Sequence, residues 1–498
     1  SFLMASLFAN PPGAEEVEAR LNKARGYMGI PSSNFAMLLP LIVSLIVFSV
    51  WCFVVLPFFL VYLLLILGPR FYFASRRTTD LSQARKVLPA QGIPKWEDRE
   101  FDVVVFGVTG HSGQLLAEYL ITTYVVGKEN PLKIALAGRN ETKLKAALAT
   151  LSHLTDPIAL SLPLVIADSC DNESLEKMCK RTKVVGTTVG PFLKYGEGLA
   201  CACARTGTGY CDLTGEVDFA RIVNAKYGEV AKLTGARVLS FTGFDSVPSD
   251  IGTMALSRKF AKKYGGKTPK YVDFVVTKLN GEAQGGTIDT VVNIVENGPP
   301  PRLVGLPPSQ GRKCVSVKTP GVYYNKLSEN WTVPFFMASV NSKVVQWTNA
   351  SSGLYEQMTY NECQALPSFL SVVVGTLFFI MGFSLFLMKP TRDLMFWFGV
   401  LPKPGQGPTR EKMRKGFTRS LVIGSDDEGN SETLTWDAVG DPGGFATAVY
   451  QGESCVALVE GMRKEGESGV GAGMTVGESI GDVAMLQRLK GTGYFNIN

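Results

Sequence analysis

The sequence predicts an α/β protein built on a doubly wound parallel Rossmann sheet, with an added N-terminal transmembrane segment. Three observations lead to this expectation. Phe101 to Phe106 reads FDVVVF, a buried-strand pattern, and runs directly into GVTGHSG and then the helix-like QLLAEYLITTY. Strand and helix patterns then alternate through KIALAGRN, SLPLVIAD and KVVGTTVGPF, as a parallel sheet requires. Ahead of both, Ala36 to Gly68 is a 33-residue apolar run without a charged residue.

The apolar run comes first in the chain. As a straight helix it would measure about 50 Å, against a hydrocarbon layer of roughly 30 Å, so it must tilt, lie partly flat or kink, with Pro57 as the expected kink. A polar stretch holding Arg20, Lys23 and Arg25 precedes it, unlike a cleaved secretory signal. The first residue is Ser1, which leaves room for an upstream targeting peptide. Arg70, Arg76, Arg77, Arg85 and Lys86 follow the run and predict that the soluble part faces the positive-inside compartment. A second apolar stretch, Pro367 to Met388, is also uncharged. Residues after it continue a domain begun before it, so a re-entrant or interfacial segment is expected there. The basic run Arg410, Lys412, Arg414, Lys415 and Arg419 suits anionic headgroups or, equally, a solvated face.

Within GVTGHSG, Gly107 serves the tight turn, Gly110 lets the backbone approach a pyrophosphate, and Gly113 allows close packing of helix on strand. Thr109, His111 and Ser112 fill the turn and join the candidate cofactor contacts, with phosphate on the helix N-terminus. The spacing is GxxGxxG, so its context carries the assignment. The second strand ends at Arg139, where an NAD-specific fold places an acid; a guanidinium there can hold a 2′-phosphate, with Lys143 one helical turn on. NADP is therefore the expected cofactor. Asp168 closes the third strand, as an adenine contact or the cap of a helix from Asn172 to Cys179. Gly190 and Pro191 form a turn expected at the nicotinamide end.

The totals exclude several classes. A net charge of +6 over 498 residues gives no nucleic-acid footprint, and the length allows about three domains. Two histidines and nine cysteines without a CxxC pair exclude a multi-histidine metal site and predict reduced, packed thiols in a reducing compartment, with no metal. Tyr124 and Lys128 have the Tyr-Lys spacing of short-chain dehydrogenases but lie at the first Rossmann helix, away from the active edge. Gly469, Gly471 and Gly473 are expected as a flexible turn.

The motifs GVTGHSGQ, ALAGRN, TTVGPFLKYGE, YCDLTGE, GFDSVPSDIG, GQGPT and GDPGGFATA, with a C-terminal helix around Val476 to Leu489, occur in an order and spacing that resembles the saccharopine dehydrogenase-like oxidoreductases, including the related trans-acting enoyl reductases. The resemblance runs from about Phe101 to the end and does not include Ala36 to Gly68. It implies a second α+β domain with an antiparallel sheet and a C-terminus that returns to the Rossmann domain. The expected organisation is an extension over 1–35, an anchor over 36–78, an NADP-binding domain over 79–245, a second domain over 246–366 and 389–498, and a membrane-contacting segment over 367–388. The resemblance further implies an oxidoreductase; with Arg139 and the separate apolar run, the expectation is an NADP(H)-dependent oxidoreductase anchored at a membrane, acting on a hydrophobic or lipid-derived substrate. Proton donors are sought in the matching loops at Tyr195, Glu216, Asp245, Ser246 and Asp250, with Asp245 first; helix capping is the competing role for Asp245 and Ser246. The alternative is an accessory subunit that keeps its nucleotide for stability and docks by its apolar segments into a larger membrane protein complex of bioenergetic or photosynthetic type.

Overall fold

The computed structural model describes residues 6–23, 38–82, 86–304, 316–317, 321–352, 358–461 and 471–498. Arg25, Ala36, Arg85 and Gly469 of the sequence expectations lie outside the described residues.

Strand β1 (Phe101–Phe106) is buried along its whole length, as a parallel strand covered by helices on both faces must be. After it come β2 (Ile134–Gly138), β3 (Leu164–Ile166), β4 (Thr182–Thr187), β5 (Gly209–Cys211) and β6 (Arg237–Leu239), with helices between successive strands. All pair in parallel, in the spatial order β3-β2-β1-β4-β5-β6. The order reverses between β1 and β4, and open α/β sheets bind ligands in the crevice outside the carboxyl ends at such a point. A further strand, Gly471–Met474, adds parallel to β6. Gly471 and Gly473 thus form a buried strand instead of the expected turn. The reason is close packing: a Cβ on Gly473 would lie 2.2 Å from the Ala220 carbonyl oxygen of the neighbouring helix.

The second sheet runs in the order Tyr323–Asn325, Asn330–Pro334, Thr359–Leu366, Tyr271–Asn280, Phe417–Ser425, Ser431–Val439, Phe495–Ile497. It is mixed where an antiparallel sheet was expected. Thr359–Leu366 follows a crossover containing the helix Ala338–Ser352 and so returns parallel to Tyr271–Asn280, while the other pairs on this path are antiparallel. Helix Val247–Lys263 lies directly on this sheet, since a Cβ on Gly252 would meet Val422 and Trp436 at 3.2 and 3.5 Å. The chain then returns: Gln451 on helix Thr447–Gly461 donates its amide to the carbonyls of Thr187 and Cys211 at the ends of β4 and β5, at 2.9 and 3.1 Å.

Two helices, Pro40–Ser75 and Phe369–Leu387, are long and apolar enough to cross a membrane by length and composition. Pro57 and Pro69 are each preceded by a five-residue π-type stretch, Trp51–Val55 and Leu63–Leu67. A proline brings no N–H and crowds the turn before it, and a turn widened by one residue absorbs both effects. The second helix is capped by Ser368, which accepts from the Ser371 N–H. The helices touch where Trp51 Nε1 donates to Ser384 Oγ at 2.9 Å.

The basic run after the second helix is matched by carboxylates of the chain itself. Arg410 pairs with Glu118, Lys412 with Glu282, Lys415 with Glu411 and Arg419 with Asp437. These four cations are neutralised locally, which favours the solvated face over a headgroup patch. The eight described cysteines are free thiols, five of them buried.

Candidate active site

The expected loop residues follow the carboxyl ends of Rossmann strands, except Asp250, which lies within the helix Val247–Lys263. Gly107 has φ +96, and a Cβ there would sit 2.8 Å from Val189 Cγ2 and 2.9 Å from Thr188 Oγ1. At Gly113 a Cβ would be only 2.3 Å from the Gly107 carbonyl oxygen, so the helix His111–Tyr124 can approach the turn only with glycine there. Gly110 behaves differently: a Cβ there would meet nothing nearer than the Gly107 carbonyl oxygen at 3.5 Å. No side chain caps the helix that begins after Gly110, so its first amides are left for a ligand. Thr109 is exposed and Ser112 partly so. Across the crevice, Thr188 N–H bonds the Phe106 carbonyl at 3.0 Å, which brings Val189, Gly190 and Pro191 alongside the turn.

Arg139 follows the last residue of β2, is exposed, and makes no ion pair among the described residues. Its neighbour Asn140 caps the next helix by accepting from the Lys143 N–H, and the nearby acid, Glu141, is tied to Lys145 at 2.7 Å. The side chain of Lys143 is exposed. Asp168 does not cap its helix, a role taken by Asp171; it accepts from the Cys170 N–H and so shapes the loop after β3. That helix is Asn172–Arg181, two residues longer than expected.

His111 turns toward the second sheet's loops. A Cβ on Gly407 would be 2.3 Å from its Nε2 and 2.6 Å from Gln284 Oε1, so the GQGPT loop closes directly on the imidazole. Both of those atoms are buried and lack a hydrogen-bond partner among the described residues. Burial, with Arg410 adding to it and Glu118 opposing it, lowers the His111 pKa.

Glu216 is a positioning residue. Its two carboxylate oxygens accept from the N–H groups of Phe192 and Leu193, each at 2.9 Å, and this fixes the short helix that follows Gly190 and Pro191. Burial raises its pKa and the two amides oppose the rise. Tyr195, at the end of that helix, is partly open, with the Lys194 ammonium 4.9 Å above its ring. The structure thus joins Tyr195 to the same turn as Glu216. Tyr124, by contrast, donates to Glu453 at 2.5 Å, away from these loops.

β6 ends at Leu239, and the residues 240–244 form a loop. The buried Asp212 organises that loop, accepting from Tyr210 OH, Ser240 Oγ and the N–H groups of Thr214 and Phe241, the last held at φ +66. Asp245 emerges from the loop. It is partly open to solvent although densely surrounded, its carboxylate accepts no hydrogen bond from a described residue, and burial raises its pKa to about 6. Ser246 occupies the cap position of helix Val247–Lys263 without making a side-chain cap. Capping therefore accounts for neither residue.

Sequence reasoning missed what Ser246 contacts. Its hydroxyl donates to Asn341 Oδ1 at 3.0 Å, Asn341 Nδ2 donates to Glu362 Oε1 at 2.8 Å, and Tyr360 OH donates to Glu362 Oε2 at 2.9 Å. Glu362 is buried, which raises its pKa to about 7; the donors oppose this and the Asp245 charge adds to it. Two carboxyls with raised pKa values thus lie near one another, one of them open to solvent. The signal available in the sequence was an acid inside the strand pattern TYNECQAL. Asp250 belongs elsewhere: it accepts from the Gly477 N–H and ties its helix to the C-terminal turn. The expected C-terminal helix is two pieces, Val476–Ser479 and Asp482–Gly491, separated around Gly481 at φ +82.

Comparison with known proteins agrees with the motifs. A putative trans-acting enoyl reductase of Mycobacterium tuberculosis is 32% identical over 426 residues, covering 79% of this chain and 96% of the relative. The chain belongs to the trans-acting enoyl reductase family. A second member, from Mycobacterium ulcerans, is 32% identical over 421 residues, covering 79% of this chain and 97% of its own. No family model matches the chain. Among solved structures, saccharopine dehydrogenase (L-Glu forming) from Saccharomyces cerevisiae matches with a TM-score of 0.45 and 12% identity, over 80% of this chain and 99% of that one. Amine dehydrogenase from Mycobacterium smegmatis matches with a TM-score of 0.39 and 12% identity, over 78% and 97%.

The buried carboxyls make stability depend on pH. Asp212, Asp250, Glu362 and Glu478 are each raised to about 7, with burial as the largest cause. Such a group keeps its proton in the folded chain where the unfolded chain has lost it, so stability is lost as pH rises from about 4.5 through about 7. The thermal midpoint is expected to fall between about pH 5 and pH 8, and Glu362→Gln to flatten part of that fall. A midpoint that rises across the range would contradict this assignment.

Proposed function

We propose that this chain is an NADP(H)-dependent oxidoreductase, held at a lipid surface, that reduces a hydrophobic acyl or enoyl substrate. The observation that carries the reading is the Gly107–Gly113 turn. Glycines are required at both of its ends, its middle is open at Gly110, and it lies at the reversal point of a parallel sheet. A phosphorylated dinucleotide fits this set of residues: main-chain amides for the pyrophosphate, Arg139 with Lys143 for a 2′-phosphate, and the turn at Gly190 and Pro191 beside the reactive ring. When bound, it supplies the hydride.

The chain's own residues supply the rest. Asp245, whose burial raises its pKa to about 6, holds a proton below about that pH at a carboxyl partly open to solvent. Glu362, joined to Ser246 through Asn341, keeps a second proton nearby, and the Asp245 charge makes that proton harder to lose. Glu216 orients the turn against which the substrate would lie. The exposed apolar helices favour a lipid-like substrate and attachment to a membrane. A partly open carboxyl after β6, with a raised pKa and no hydrogen bond from a described residue, favours turnover over a purely structural subunit.

The test is oxidation of NADPH by the detergent-purified protein in the presence of acyl and enoyl thioesters of increasing chain length. Turnover with long chains supports the reading; no turnover with any of them, while NADPH binds, contradicts it. Cofactor choice has its own test. Arg139→Ala is expected to weaken NADPH about 10- to 100-fold, the value of roughly 1.5–3 kcal/mol for a charge-assisted contact, and to leave NADH unchanged. Equal losses for both dinucleotides would contradict a 2′-phosphate contact.

A further inference from the structure

Resting on the lipid-surface reading above, we infer that both apolar helices enter a single leaflet from one side and that the chain does not cross the bilayer. The occupant of their exposed faces is the hydrocarbon of that leaflet. The first support is topological. Ahead of the long helix, Ser6–Lys23 docks on the folded body: Leu7 N–H bonds Glu118 at 2.7 Å, Tyr494 OH bonds the Phe8 carbonyl at 2.7 Å, and Val17 and Leu21 are fully buried. Directly after the helix, Arg77 donates to the carbonyls of Asn297 and Pro299, and Thr78–Asp80 pairs with Arg302–Val304. Both ends of the long helix are therefore tied to one body. A crossing would require the chain to return through residues 24–37, whose sequence includes Arg25, Ser32, Ser33 and Asn34; as a helix, the form a lone span must take, it would reach only about 21 Å and is too polar for hydrocarbon.

The second helix obeys the same constraint. The strand before it, Thr359–Leu366, and the strand after it, Phe417–Ser425, flank the same strand Tyr271–Asn280. A helix between two such strands begins and ends on one side.

Surface chemistry agrees. Phe53 is 84% exposed and Leu64 70%, and the exposed Trp397 continues the apolar face beyond the second helix. The long helix spans 36 residues, about 54 Å at 1.5 Å per residue, a poor match to a layer of roughly 30 Å but suitable for lying along it. At its end Arg76 packs over the Tyr72 ring at 4.7 Å, a cation and an aromatic at headgroup depth.

To test this, the full chain, carrying one epitope tag at each end, is reconstituted from detergent into sealed phosphatidylcholine vesicles containing phosphatidylserine. Vesicles are captured by antibody through the N-terminal tag and treated with protease from outside. Flotation with the vesicles and complete removal of the C-terminal tag are expected. A C-terminal tag that survives until detergent is added would overturn one-sided insertion and leave membrane attachment standing. Failure to float would remove the lipid-surface reading and this inference together. Phe53→Asp with Phe58→Asp is expected to abolish flotation without loss of dinucleotide binding; unchanged flotation would overturn the assigned face.

Discussion

Replacing Gly110 with alanine is expected to remove dinucleotide binding and spare the fold, whereas Gly113→Ala damages both. The two glycines are three residues apart in one turn, yet they face different neighbours. At Gly110 the backbone has φ −93 and ψ 164, which any residue adopts, and an added Cβ meets no atom nearer than 3.5 Å. The methyl group intrudes only on what would occupy the crevice. Losing two charge-assisted amide contacts costs roughly 3 kcal/mol or more, at least about a hundredfold in affinity. At Gly113 the same methyl lies 2.3 Å from a carbonyl oxygen and 2.8 Å from Val108 Cα, backbone atoms that give way only if the strand, turn and helix move apart. Overpacking of this kind costs about 1–3 kcal/mol or more, so the melting temperature falls as well. Titration with NADPH alongside thermal melts separates the two variants. Equal melting losses for both would mean that the open middle of the turn has been misassigned.

The second large effect is expected at Asp245. Removing a positioned proton donor costs about 10²- to 10⁴-fold in turnover, so Asp245→Asn should lower kcat by that range and leave NADPH affinity unchanged. The exchange is nearly isosteric, and the carboxyl accepts no hydrogen bond from a described residue, so the fold should be unaffected. In the parent enzyme kcat should decline as pH rises through about 6, with Asp245 losing its proton. If the variant retains full turnover with the same pH profile, the proton comes from elsewhere, and Tyr195 becomes the next residue to test.

The strand, glycine turn and helix of the candidate cofactor site were legible in the sequence because their requirements are local. A buried strand, three spaced glycines and a helix occupy one continuous stretch, and Arg139 follows the next strand directly. The roles of Gly107 and Gly113 depend on backbone atoms at most two turns away or on the adjacent strand. The catalytic half was only partly legible. Asp245 could be placed at a strand end, but its freedom from capping depends on the loop that Asp212 holds, and its neighbour Glu362 lies more than a hundred residues further along the chain. Asn341 and Glu362 reach the site only because a mixed sheet returns Thr359–Leu366 beside Tyr271–Asn280. Likewise Gly471 and Gly473 reveal themselves as strand residues only against the helix carrying Ala220. His111 lies within the phosphate turn in sequence, yet the Gly407 loop fixes its position.

The placement of the two carboxyls also explains why an oxidoreductase of this fold can tolerate so many buried acids. Asp212 and Glu216 shape loops through main-chain amides, and Glu362 is satisfied by an amide and a phenol. Of the candidate carboxylates Glu216, Asp245 and Asp250, Asp245 is the one that accepts no hydrogen bond from a described residue.

In the function proposed above, main-chain amides around Gly110 and the guanidinium of Arg139 together hold a phosphorylated dinucleotide. Calorimetric titration of the purified full-length protein with NADPH and with NADH tests it most directly. Binding of NADPH at least about tenfold tighter than NADH, lost in Gly110→Ala, is the expected result. Binding of neither dinucleotide, or tighter binding of NADH, would contradict it.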